Sequence, residues 1–126
     1  MKNRFGRAGA AAASLAVLWS AAAWTAPASA GEGVSPEALE QGQGLFLLNC
    51  RQCHGTKGTA GAPLASNHKL EDSAFIANTI IKGRGYMTAF GEHLDDDQIA
   101  AIATYVRNSW GNEYGPVTPD DVAAAR

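Results

Sequence analysis

Apolar residues recur at intervals of three and four in three stretches of the chain, the period of helices that bury one face. The first stretch opens at "SPEAL", where Ser35 is placed to cap, Pro36 takes the first helical position and Glu37 meets the positive end of the helix dipole; it runs to about Cys50 with Leu39, Gly42 and Phe46 near one face. The second, about Asp72 to Lys82, carries Phe75, Ile76, Thr79 and Ile80 and stops at Gly83. The third begins at Asp95, with Gln98 spaced for a capping box, and continues through Ile99, Ile102, Tyr105 and Val106 to about Trp110, where Gly111 ends it. No stretch alternates with the period of a strand, and no internal repeat is visible. The pattern predicts an all-α fold of about three main helices joined by loops. The tail "EYGPVTPDDVAAAR" is polar and holds two prolines, which predicts an extended segment wrapped over the surface.

Two glycines, Gly42 and Gly44, interrupt the first helix. Each costs roughly 1 kcal/mol relative to alanine, so at least one is expected to admit the close approach of another helix.

The first thirty residues have the layout of an export signal. Lys2, Arg4 and Arg7 precede an apolar run from Ala8 to about Trp24, and "APASA" presents small residues at Ala28 and Ala30. Cleavage is expected after Ala30, leaving residues 31–126 as one small domain with a thin core, working in the periplasm. The competing expectation is an uncleaved membrane anchor, because the apolar run approaches the length that spans a bilayer.

Removal of the signal changes the charge balance. Residues 31–126 hold seven lysines and arginines against twelve aspartates and glutamates, a net charge of −5. An acidic domain is a poor nucleic-acid binder and a suitable partner for a basic protein surface. Glu92, Asp95, Asp96 and Asp97 cluster at the start of the third helix, where acidic side chains answer the dipole and are also available for docking.

Both cysteines fall in "NCRQCHG", as Cys50 and Cys53, with His54 next. A structural zinc site needs a second pair of ligands, and the remaining histidines, His68 and His93, stand far apart. A redox dithiol follows a strand in a βαβ setting, whereas helix precedes Asn49 here. The spacing Cys-x-x-Cys-His suits covalent haem: two thiols add across vinyl groups as thioethers, and the histidine provides an iron ligand. On a helical turn the three side chains stand at i, i+3 and i+4 and share a face.

Haem iron in such a pocket needs a second axial ligand. Apart from Met1, the candidates are Met87, His68 and His93. Met87 lies in "KGRGYMTAFG", a glycine-punctuated loop outside any apolar stripe, which favours ligation over simple core filling. His68 in polar "SNHKL" and His93 before the third helix are expected at the surface.

With these motifs in place, residues 31–126 resemble a class I c-type cytochrome. In that family a glycine and an aromatic precede the haem motif and pack on the last helix; Gly42 and Phe46 match them, facing Tyr105 and Ile102. The resemblance implies one covalently attached haem c per chain, bound by Cys50, Cys53, His54, Pro63, Leu64 and Met87, with iron ligated by His54 and Met87. It implies that the Pro63 carbonyl in "GAPL" accepts the other N–H of His54, and that Leu64 contacts the haem face. "GRGYMTAFG" is similar to the family's methionine loop, with Thr88 where proline is common. The end "YVRNSWGN" with "VTPDDVAAAR" is similar to cytochrome subunits that serve periplasmic dehydrogenases or reductases. The implied function is single-electron transfer between such an enzyme and a respiratory-chain partner, as a free carrier or a subunit. A haem enzyme or gas sensor, in which Met87 leaves to open the iron, is the alternative.

Overall fold

The structure, a computed structural model, describes residues 33–126; the expected signal and its cleavage point at Ala30 lie outside the described residues. Among the described residues the fold is all-helical, in the order α1 (Pro36–Asn49), α2 (Arg51–His54), a short 3₁₀ turn (His68–Glu71), α3 (Ser73–Lys82), α4 (Asp96–Arg107) and α5 (Pro119–Ala125). Among the described residues one isolated β-type pairing joins Arg84 to Met87.

The helix starts follow the expected capping chemistry. The Ser35 hydroxyl accepts from the Ala38 N–H at 3.1 Å. Asp72, expected as the first residue of its helix, instead caps α3 by accepting from the N–H groups of Ala74 and Phe75. Asp95 and Gln98 form a reciprocal capping box at 2.8 and 3.1 Å.

α1 lies across α4, and their closest approach is at Gly42. A Cβ built on Gly42 would stand 2.6 Å from the Tyr105 Cβ and would collide with the Ala101 carbonyl. One built on Gly44 would meet nothing within 4 Å, so Gly42 alone carries the helix crossing. One turn further along α1, Phe46 is completely buried, with its ring centroid 5.6 Å from Tyr105 and 5.1 Å from Trp110. Tyr105 and Trp110 complete the triangle edge to face at 5.3 Å. Ile76, Ile80 and Ile81 of α3 and Ile99 and Ile102 of α4 extend the same core.

The tail differs from the sequence expectation. Residues 113–118 are irregular, but Pro119–Ala125 form α5, which packs on α3 and α4 and buries Val122 completely. The proline read as a helix breaker stands at the first helical position, where its missing N–H costs nothing. Thr118 and Asp121 close a capping box ahead of it. α4 also ends at Arg107, three residues earlier than expected. The Asn108 amide turns back to the carbonyls of Thr104 and Gly115 at 2.7 and 2.9 Å, and Trp110 and Gly111 adopt positive φ.

Arg107 is buried beneath this turn with no carboxylate in contact. Its guanidinium donates to the carbonyls of Leu70, Glu71, Gly115 and Pro116 at 2.8–3.1 Å, tying the 3₁₀ turn and the tail to α4. Burial lowers its pKa, and the charges of Asp121, Asp72 and Glu71 oppose that shift.

Candidate haem-binding site

α1 ends at Asn49, and the chain resumes helical bonding at once in α2. The Cys50 N–H donates to Phe46 O at 2.8 Å, and the Cys50 carbonyl accepts from Cys53 and His54 at 3.2 and 3.0 Å. This single turn brings Cys50, Cys53 and His54 together as their spacing predicts. Cys50 is half-buried against the core, Cys53 is exposed, and the two are not joined as a disulfide. Burial, helped by the neighbouring Cys53, pushes the Cys50 thiol up to about 11.

The loop after His54 fixes the imidazole. The Ala60 N–H returns to the His54 carbonyl at 3.1 Å, and the N–H groups of Leu64 and Ala65 converge on the Gly58 carbonyl at 2.7 and 3.0 Å. His54 Nδ1 then lies 3.1 Å from the Ala62 carbonyl. A carbonyl can only accept, so this contact assigns the hydrogen to Nδ1 and leaves the Nε2 lone pair free, the form a metal needs.

The acceptor corrects the expectation for Pro63. The imidazole faces the preceding carbonyl, that of Ala62, while the Pro63 carbonyl accepts from the Asn67 side-chain amide at 2.8 Å. Pro63 itself is exposed, while Leu64 is half-buried on the core that Cys50 and Met87 also touch.

Two residues that periodicity did not single out hold this loop. The buried Asn112 amide donates to Leu64 O at 2.8 Å and Val106 O at 2.9 Å, and its oxygen accepts from the Asn67 N–H at 3.0 Å. The Trp110 indole covers Gly58, where a Cβ would come within 2.6 Å of the ring. "WGN" is legible as the signal of a helix end, but its contacts about 45–52 residues upstream are tertiary.

The methionine loop is equally well tethered. Gly83 ends α3 at φ 69°, Gly85 turns at φ 60°, and the Met87 N–H closes the turn on Arg84 O at 3.0 Å. Phe90 and Gly91 then donate to the carbonyls of Ile80 and Ile81 at 2.9 and 3.0 Å, returning the loop to α3. The Arg84 guanidinium lies 5.5 Å from the centre of the Phe75 ring. Met87 is half-buried against the core, whereas His68 and His93 are exposed. Surface clefts along α3 and the 3₁₀ turn, lined by His68, Phe75 and Arg84, include none of Cys50, His54 or Met87.

Two thiols and an imidazole nitrogen on one turn match the attachment motif of a covalently bound haem. The family described as cytochrome C oxidase, cbb3-type, subunit III matches residues 37–106, from the first turn of α1 to the last of α4. The chain belongs to the class I c-type cytochromes. This cytochrome is 33% identical over 99 residues to a cytochrome c6 from Gloeothece citriformis, covering 73% of this chain and 84% of the relative. It is also 33% identical over 84 residues to the cbb3-type cytochrome c oxidase subunit FixP of Azorhizobium caulinodans, covering 60% of this chain and 29% of that protein. Likeness to the cytochrome c subunit of a quinone alcohol dehydrogenase from Gluconobacter oxydans is 29% over 103 residues, 68% of this chain and 22% of the relative. The cytochrome therefore carries covalently attached haem c, with Cys50, Cys53 and His54 forming its Cys-x-x-Cys-His motif, and serves haem-based electron transfer. Among the described residues no helix is long and apolar enough to cross a membrane.

Proposed function

We infer that this cytochrome is an exported single-electron carrier whose haem iron is ligated by His54 and Met87. The observation that carries the assignment is the His54–Ala62 contact, which holds the imidazole in its metal-binding form on the turn that bears both thiols. Haem c, when bound, supplies an iron that exchanges one electron between its ferric and ferrous states.

The residues around it each have a part. Cys50 and Cys53 form the thioether tethers, so the cofactor stays attached outside the cytoplasm. His54 offers Nε2, and the Ala62 carbonyl fixes the plane and basicity of the ring. Met87 offers its sulfur from a loop bonded to α3 at both ends. Ligands held in this way move little between oxidation states, and a thioether in an apolar setting favours a higher reduction potential than a second nitrogen would.

The partners follow from two kinds of relative. Likeness to a subunit of a cbb3-type cytochrome c oxidase and to cytochrome c subunits of an alcohol dehydrogenase and a gluconate 2-dehydrogenase supports electron passage between a periplasmic dehydrogenase or reductase and a respiratory-chain partner. Likeness across most of a small cytochrome c6 supports action as a free carrier or a detachable subunit.

The test is a spectrum of the purified periplasmic protein. Haem that survives denaturation, with the far-red sulfur-to-iron charge-transfer band in the oxidised form, is expected; absence of that band removes Met87 as the ligand. Slow or absent carbon monoxide binding by the reduced protein is expected as well, and rapid binding would show an iron open to gases.

A further inference from the structure

Arg126, just beyond α5, makes contacts that the electron-transfer assignment does not use. Its Nε pairs with Asp96 Oδ1 at 2.6 Å, its Nη1 donates to the Gly91 carbonyl at 2.6 Å, and its Nη2 donates to the Leu94 carbonyl at 3.0 Å. Both side chains of the pair are about one-third exposed, at 35% and 34%, and it is the one salt bridge among the described residues.

The place of these contacts gives them meaning. Gly91 is the residue at which the methionine loop rejoins α3, through its N–H on the Ile81 carbonyl. The same peptide segment is therefore gripped from α3 on one side and by Arg126 on the other. A Cβ on Gly91 would lie 2.9 Å from Ile81 Cγ2 and 3.4 Å from Arg126 Nη1, so both grips are close. Asp96 lies in the first turn of α4, and Leu94 immediately precedes the α4 cap. One planar guanidinium thus joins the end of the loop, the start of α4 and the end of α5, a use of its fixed fork that a flexible ammonium reproduces only in part.

We propose that Arg126 is a positioning residue for Met87: by clamping Gly91 and Leu94 it holds the far end of the methionine loop, and so sets how readily the sulfur is displaced from iron. This rests on Met87 being the axial ligand. Without the clamp the loop keeps its bonds to α3 but loses its second support, and opening of the loop becomes the easiest local excursion of the fold.

The experiment uses the full holoprotein with Arg126→Ala, Arg126→Lys and Asp96→Asn, and titrates the oxidised protein with imidazole, which takes the iron only when the methionine leaves. Arg126→Ala is expected to tighten apparent imidazole binding by about five- to tenfold, the scale of losing a few part-exposed charge-assisted hydrogen bonds. Its far-red band is expected to fade at a lower temperature than its far-ultraviolet helix signal. Arg126→Lys should recover part of the effect and Asp96→Asn, which leaves the carbonyl bonds, should show a smaller one. If Arg126→Ala binds imidazole as wild type does and only its urea midpoint falls, the residue is merely structural and the proposal is overturned. If wild type itself lacks the far-red band, the assignment of Met87 falls and takes this proposal with it.

Discussion

Replacing either glycine of α1 with alanine should move stability in opposite directions. At Gly42 the new methyl would sit 2.6 Å from Tyr105 Cβ and 2.9 Å from the Ala101 carbonyl carbon, against an ordinary carbon–carbon contact of about 3.5–4.0 Å. The obstructing atoms are backbone and a Cβ, which no rotamer change removes, so α1 and α4 must separate by about 1 Å to restore normal contact. That separation loosens the Phe46, Tyr105 and Trp110 triangle. Overpacking costs about 1–3 kcal/mol or more, and a clash with backbone rather than a flexible side chain falls in the upper part of that range, about 2–3 kcal/mol, of which the better helix propensity of alanine returns up to about 1 kcal/mol. Gly42→Ala is therefore expected to destabilise the holoprotein by about 1–2 kcal/mol or more, while Gly44→Ala, which meets nothing, stabilises it by about 0.5–1 kcal/mol. Urea unfolding of both variants, followed by far-ultraviolet ellipticity and the haem Soret band, measures the two values. A Gly42→Ala protein within 0.3 kcal/mol of wild type, on an order-of-magnitude scale of measurement error, or a Gly44→Ala protein destabilised like it, would refute the crossing argument.

Three further outcomes are expected. Arg107→Met removes four hydrogen bonds to carbonyls and should cost roughly 2–4 kcal/mol in urea unfolding; an unchanged midpoint would mean that water replaces the guanidinium without loss. Cys50→Ala with Cys53→Ala should yield a chain without attached haem and with little helix by circular dichroism, because the thin core loses the apolar surface of the cofactor; a well-ordered helical apo form would contradict this. The Asp121 carboxyl is held below its ordinary value of 3.8, first by the Thr118 backbone N–H and then by the Thr118 hydroxyl. Its folded pKa is the lower one, so the stabilisation is complete above about pH 4–5 and is lost as pH falls through the folded value. Carbon-13 titration of the reduced protein should find a midpoint under 3.8, and one at or above it would remove the cap from the account.

Much of the site was legible because it is local chemistry. Cys50, Cys53 and His54 lie within five residues, and one helical turn is enough to bring them together. The caps at Ser35 and Asp95 are equally local, the hydroxyl or carboxylate meeting an N–H three residues on. The start of α5 carries the same kind of signal in Thr118, Pro119 and Asp121, but polarity and proline pointed to a loop, and only the burial of Val122 against α3 and α4 makes the helix worth forming. Gly42 and Gly44 look alike along the chain and differ only in whether another backbone crosses them.

The carbonyl that orients His54 belongs to the same class of question. Ala62 and Pro63 are neighbours, and nothing in their order says which oxygen faces the ring; the folded loop turns Ala62 to His54 and Pro63 to the Asn67 amide, and Asn112 accepts from the Asn67 N–H. By itself, the sequence determined what is covalent or confined to a helical turn: the attachment motif, the helix starts and the class of fold. The tertiary structure decided which groups meet across long stretches of chain, the Ala62 acceptor, the Asn112 brace and the Arg126 clamp, because those pairings depend on how far apart packed helices settle, and no residue spacing encodes that distance.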